Sequence, residues 1–148
     1  MTATPNAILA LDVGARRVGV AVASLAARLP RPVITLERDD TFWLALQNIA
    51  EVEAVGAIIV GFPRGMQGQH TAQTTAIEDF TAELRQHFAL PIIMQDEALT
   101  SKHAEEELQA RGQPYDKGAI DALAATYILE DFLTEHQQLT NPTELETV

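Results

Sequence analysis

Apolar positions along this chain fall into short blocks separated by turn and charge signals. Ile8-Leu9-Ala10-Leu11 ends at Asp12 and Gly14, and Val18-Gly19-Val20-Ala21-Val22-Ala23 resumes after Ala15-Arg16-Arg17, which predicts two strands joined by a tight turn. Pro30 and Pro32 break the chain before a third β-rich block, Val33-Ile34-Thr35-Leu36. Asp39, Asp40 and Thr41 are capping candidates for a helix from Phe42 to Glu53, where Phe42, Leu46 and Ile49 recur at helical spacing. Ala57-Ile58-Ile59-Val60 is continuously apolar, as expected of a central parallel strand covered on both faces. Ile77, Phe80 and Leu84 mark an amphipathic helix from Thr74 to Phe88, and Pro91-Ile92-Ile93-Met94 makes a fifth strand. Thr100 or Ser101 can cap a helix from Lys102 to about Arg111, stopped by Gly112 and Pro114, and a last helix runs from about Gly118 to Thr134.

The order βββαβαβαα predicts an α/β fold: a mixed five-stranded sheet with helices on both faces, which is the ribonuclease-H-like topology. No linker or internal repeat divides it, so one domain is expected over residues 1–136. The polar stretch 137–148, with Pro142, is expected to be a disordered tail.

Composition adds two constraints. With no cysteine among 148 residues, a disulfide or thiolate-zinc site is excluded, and no window approaches the roughly 18 apolar residues of a membrane span. A cytoplasmic protein is the expectation. The net charge of −11 lacks the broad basic footprint of most nucleic-acid binders. Charge is uneven, however: Arg16, Arg17, Arg28, Arg31 and Arg38 lie between Val13 and Arg38 against the single acid Glu37, so a local basic face on an acidic body is expected.

In an open sheet, ligands meet the carboxyl ends of the parallel strands. Here those ends read Asp12-Val13-Gly14, Gly61-Phe62-Pro63 and Gln95-Asp96-Glu97, while Asp121 lies one turn into the last helix, followed by small residues that allow close approach to the sheet. Singly, each acid has an ordinary structural explanation, as a turn acceptor or a partner of a helix N-terminus. Gathered at one edge, they repel one another unless a cation sits between them, and oxygen-only ligands favour Mg²⁺ or Mn²⁺. Such a site orients water and phosphate for phosphodiester hydrolysis. Asp96 and Glu97 are both open as the ligand from that turn, and strand alternation allows only one of them to face Asp12. By the same alternation, one of Arg16 and Arg17 should lean toward the acids. His70, His87, His103 and His136 have no metal-ligand spacing, although His103 lies near the acidic turn, and Trp43 is expected in the core.

Four segments in this order resemble the YqgF (RuvX) family: Leu11-Asp12-Val13-Gly14-Ala15-Arg16-Arg17-Val18-Gly19-Val20-Ala21, Val60-Gly61-Phe62-Pro63 with Gly68, Asp96-Glu97-Ala98-Leu99-Thr100-Ser101 with Ala104, and Ile120-Asp121 with Ala124-Ala125. The resemblance spans about Ile8 to Leu133. It implies a fold similar to the Holliday-junction resolvase RuvC, and a nuclease acting on precursor 16S ribosomal RNA ends or on branched DNA; monomer and homodimer are both left open by the sequence. It also implies Asp12, Glu97 and Asp121 as metal-binding catalytic acids, Arg17 as a phosphate contact and Thr100 as a support for the acidic turn. Arg16, Arg64 and Lys102 are further candidates for nucleic-acid contact. The family's turn usually reads Asp-Glu-Arg where this chain has Ala98, and its Leu-Asn before the methionine is replaced by Arg64-Gly65 ahead of Met66.

Two other classes fit parts of the pattern. Actin-like and sugar-kinase phosphotransferases share an Asp-x-Gly first strand, but they close two such domains around a nucleotide, which 148 residues cannot supply. An inactive ribonuclease-H-like module holding RNA or a protein partner is compatible with Ala98 and the acidic charge.

Overall fold

The structure is a computed structural model that describes residues 4–63, 72–97 and 100–145, excluding the side chains of residues 63, 97 and 100–102. Five strands, β1 (Ala7–Val13), β2 (Arg17–Ser24), β3 (Arg31–Glu37), β4 (Val55–Pro63) and β5 (Ile92–Glu97), form one sheet in the order β3-β2-β1-β4-β5. The first three pair antiparallel, and β4 and β5 run parallel to β1. Leu11, Val60 and Met94 share one row, so the carboxyl ends of β1, β4 and β5 lie side by side. The helices are α1 (Phe42–Val52), α2 (Ala72–His87), α3 (Thr100–Arg111) and α4 (Lys117–Glu135).

Alternation along the strands divides the core between two faces. Leu9, Leu11, Val18, Val20, Ile58 and Val60 pack against Phe42, Leu46, Ile77, Phe80 and Leu84 from α1 and α2. On the other face, Ile8, Ala10, Ala21, Ala57 and Ile59 pack against Ala125, Ile128, Leu129 and Phe132 of α4. Helix α3 buries Ala104 and Leu108 against Leu123 and Ala124, and so rests mainly on α4. Trp43 joins the α1–α2 layer, stacked on His87 at a centroid distance of 4.2 Å.

Three departures from the sequence reading have physical causes. Strand β3 starts at Arg31 and contains Pro32, which an edge strand tolerates, and the pairing with β2 shifts register between Val20 and Ala21. Strands β4 and β5 continue past their apolar runs, because the backbones of Gly61, Phe62 and Pro63 keep pairing with Gln95, Asp96 and Glu97. The expectation of disorder from Gln137 does not hold over residues 137–145. Leu139 and Leu145 pack on the α4 layer, and a 3₁₀ turn over Pro142–Glu144, capped by Asn141, seats Pro142 against Gly56. A Cβ on Gly56 would lie 2.5 Å from the Pro142 ring and 2.9 Å from Pro5.

Candidate active site

At the sheet edge where β1 ends, an open cleft of about 490 Å³ is lined by Asp12, Arg16, Arg17, Gln73, Lys117, Asp121 and the Val13-Gly14-Ala15 turn. Asp12 has the strand parity of Ile8 and Ala10, which face α4, and that helix carries Asp121. Opposite Asp12 in the β1–β2 register is Gly19, against which the α4 backbone rests at Asp121. Strand and helix thereby bring two carboxylates from distant parts of the chain to one cleft. The cap of α4 fixes the start of the helix: the Asp116 carboxylate accepts from the Ala119 amide at 2.9 Å. Lys117, the first helical residue, stands one turn before Asp121 and lines the same cleft.

The hairpin supplies the cations. Arg17 Nε donates to Asp121 Oδ2 at 3.0 Å, with side chains 40% and 23% exposed, so the pair remains open to solvent. Arg16 is exposed at the turn. The turn itself is closed by the Gly14 amide donating to the Arg17 carbonyl at 2.8 Å. It is braced by Arg38, whose guanidinium donates to the Gly14 carbonyl and lies 5.2 Å from the centroid of the Phe80 ring.

The expected five-arginine face is not formed. The β2–β3 connection lies at the opposite end of the sheet, and it takes two of the arginines with it. Arg28 donates to the carbonyls of Leu133, His136 and Leu139 at the end of α4, and Arg31 pairs with Glu53. Arg16, Arg17 and Arg38 remain at the cleft end.

Of the acidic turn, Asp96 shares the parity of Ile92 and Met94, which pack on the α1–α2 side of the sheet, opposite the face of Asp12. The backbone of Glu97 ends β5 opposite Pro63. The Glu97 and Lys102 side chains, Arg64 and Ala98 lie outside the described residues. Among the described residues no group of three or more His, Asp or Glu side chains is arranged as a metal site. The cleft residues missed by the sequence reading are Lys117 and Gln73. Lys117 was detectable as the helical neighbour of Asp121 at a spacing of four residues.

Titration is perturbed elsewhere, along the α3–α4 seam. Partial desolvation of an otherwise exposed carboxyl, then the charges of Asp131 and Glu107, raise Glu130 above its ordinary range. Burial and Glu135 raise Asp131, with His103 opposing the rise. His103 therefore belongs to this seam electrostatically. Tyr127 is pushed up to about 12 by burial and by its hydrogen bond to the Glu107 carboxylate.

This architecture has counterparts among solved structures of Holliday-junction resolvases. Thermus thermophilus RuvC in complex with a Holliday junction matches with a TM-score of 0.52 at 14% identity, covering 92% of this chain and 99% of RuvC. The fowlpox virus Holliday junction resolvase matches with a TM-score of 0.52 at 13% identity, covering 88% and 99% of the two chains. The fold is thus that of the RuvC-like, ribonuclease-H-like nucleases. Two bacterial proteins named "Putative pre-16S rRNA nuclease" are much nearer in sequence. The Chloroflexus aggregans protein is 40% identical over 131 residues, covering 85% of this chain and 92% of its own. The Nitratidesulfovibrio vulgaris protein is 35% identical over 130 residues, covering 84% and 91%. Residues 6–135 match the family model described as "RuvX: Holliday junction resolvase", and the chain belongs to the RuvX family. No helix among the described residues is long and apolar enough to cross a membrane.

Proposed function

We propose that this chain is a divalent-cation-dependent nuclease, acting in the cytoplasm on the 5′ end of precursor 16S ribosomal RNA. The observation that carries the reading is the shared cleft: Asp12 from β1 and Asp121 from α4 line it together with Arg16, Arg17 and Lys117. Carboxylates beside exposed cations are a donor set for a hard metal ion and for a phosphate backbone. The family and the names of the relatives support the choice of reaction, and the relatives' names alone support the choice of RNA.

The donor chemistry fits Mg²⁺ or Mn²⁺, with Asp12 and Asp121 as ligands and Glu97 as a third. Glu97 is preferred to Asp96 because Asp96 has the parity of the opposite sheet face. When bound, the ion supplies Lewis-acid polarisation of the phosphoryl oxygens. The remaining work falls to the chain's own groups. Arg17 neutralises Asp121 in the free cleft and offers planar N–H donors to a phosphate. Lys117 adds a point charge, and Arg38 holds the turn that carries Arg16 and Arg17. Arg16, Arg64 and Lys102 complete the proposed backbone contacts. With a net charge of −11, these local cations and the ion must provide most of the attraction for a polyanion.

Cleavage of labelled precursor 16S ribosomal RNA ends and of a four-way DNA junction, by wild type, Asp12→Asn and Asp121→Asn with and without Mg²⁺, tests this reading. Metal-dependent RNA cleavage lost in both variants is expected. Cleavage of the junction alone would assign DNA as the substrate. Tight RNA binding in EDTA, with no cleavage in Mg²⁺ or Mn²⁺, would assign a binding module.

A further inference from the structure

One row of residues crosses three strands beneath the first turns of α4. Asp12 pairs with Gly19, and Gly19 pairs with Thr35. Each member meets the helix differently. The Thr35 hydroxyl donates to the Gly118 carbonyl. At Gly19 the helix lies directly on the strand: a Cβ there would sit 2.0 Å from the Asp121 carbonyl oxygen, 2.2 Å from its carbonyl carbon and 2.8 Å from the Ala122 nitrogen. All three are backbone atoms, so no side-chain rotation relieves the clash, and α4 must lift or slide. Asp12 ends the row with its carboxylate in the cleft that Asp121 shares.

We propose that Gly19 and Thr35 are positioning residues of the active site: they form the seat that fixes α4 in height and along its axis, and so set the gap between the Asp12 and Asp121 carboxylates. The proposal rests on the reading of that pair as the ion-binding acids. Gly19 controls the height, because only a residue without Cβ lets the backbone at Asp121 reach the sheet. Thr35 controls the position along the axis, because its bond to Gly118 lies one turn before Asp121, next to the Asp116 cap. A cation held by two rigid carboxylates tolerates little change in their separation, so a shift of α4 acts on ion affinity before it acts on the fold.

Gly56 provides a matched control. A Cβ at Gly56 also clashes, at 2.5 Å from Pro142, but at the start of β4, the opposite end of the sheet from the cleft. The test is calorimetric titration of Mn²⁺ into wild type, Gly19→Ala, Thr35→Val, Thr35→Ser and Gly56→Ala, with amide hydrogen exchange of residues 121–124 measured on the same proteins. Gly19→Ala and Thr35→Val are expected to weaken Mn²⁺ binding tenfold or more and to speed exchange of those amides. Thr35→Ser, which keeps the hydroxyl, should restore both, and Gly56→Ala should bind Mn²⁺ as wild type does even where it is less stable. Wild-type Mn²⁺ affinity in a folded Gly19→Ala, or an equal loss in Gly56→Ala, would overturn the proposal. If wild type itself takes up no Mn²⁺, the ion-binding reading falls separately. The exchange data then decide the seat, and unchanged protection of residues 121–124 in Gly19→Ala overturns it.

Discussion

Arg17 Nε lies 3.0 Å from Asp121 Oδ2, so that a residue at the start of the second strand neutralises an acid 104 positions later in the chain. This pair ties the hairpin to α4 at the mouth of the cleft, and both partners stay within reach of solvent and of a polyanion.

If Arg17 exchanges Asp121 for a phosphate when nucleic acid binds, Arg17→Ala should weaken binding uniformly across sequences. It should also reduce the slope of log affinity against log salt by about 1. Fluorescence anisotropy with a labelled RNA at several salt concentrations measures both. Because the ion pair is exposed, fold stability should change by only about 0–1 kcal/mol. An unchanged salt slope would make Arg17 a surface cation with no part in binding.

Arg28 should behave in the opposite way. Its guanidinium bonds the Leu133 carbonyl in the last turn of α4 and the His136 and Leu139 carbonyls just past it, far from the cleft, and its backbone holds a φ of 56°. Arg28→Ala should therefore lower the unfolding free energy by about 1.5–3 kcal/mol, the range for hydrogen bonds to a charged group. RNA affinity should stay the same. Denaturant midpoints and the same anisotropy assay separate the two effects, and loss of affinity without loss of stability would restore Arg28 to the binding face.

Strand ends, hairpin and helices were legible in the sequence because apolar blocks and turn residues report local structure, so Asp12 and Asp121 could be assigned to one edge by topology. Arginine clustering in sequence was a poor guide, since antiparallel strands send residues about ten positions apart to opposite ends of the sheet. Likewise, the polar stretch after Gln137 hid Leu139, Pro142 and Leu145, whose burial depends on a partner surface that only the folded sheet creates. The seat under α4 was unreadable for the same reason: Gly19 resembles any glycine in a strand until the helix is packed on it.

The α3–α4 seam sets a pH dependence. Glu130 binds its proton more tightly in the folded chain than in the unfolded one, because partial desolvation and the neighbouring acids Asp131 and Glu107 oppose its charge. A raised carboxyl pKa means that the folded state is penalised above that pKa and relieved as pH falls toward the ordinary carboxylate range. Glu130→Gln should therefore be more stable than wild type at pH 7, with the difference shrinking as pH falls and vanishing below the unfolded pKa. Thermal unfolding across pH 4–8 measures it. A constant difference over that range would show that Glu130 acts through packing and not through its charge.

Position 98 tests the role of the missing family arginine. With alanine there, binding should depend strongly on the ion, so EDTA should abolish binding of labelled RNA as well as cleavage. Ala98→Arg should raise both in Mg²⁺ by adding a cation beside Glu97. No gain in either would show that a cation at position 98 contributes nothing to binding or cleavage in this chain.

Asp12 and Asp121 are proposed to hold a divalent ion together for phosphodiester hydrolysis. Isothermal titration of Mn²⁺ into wild type and Asp12→Asn, which keeps the shape and removes the charge, measures this. Saturable binding by wild type and at least a tenfold loss in Asp12→Asn are expected. Equal Mn²⁺ affinity in the two proteins would show that Asp12 takes no part in holding the ion.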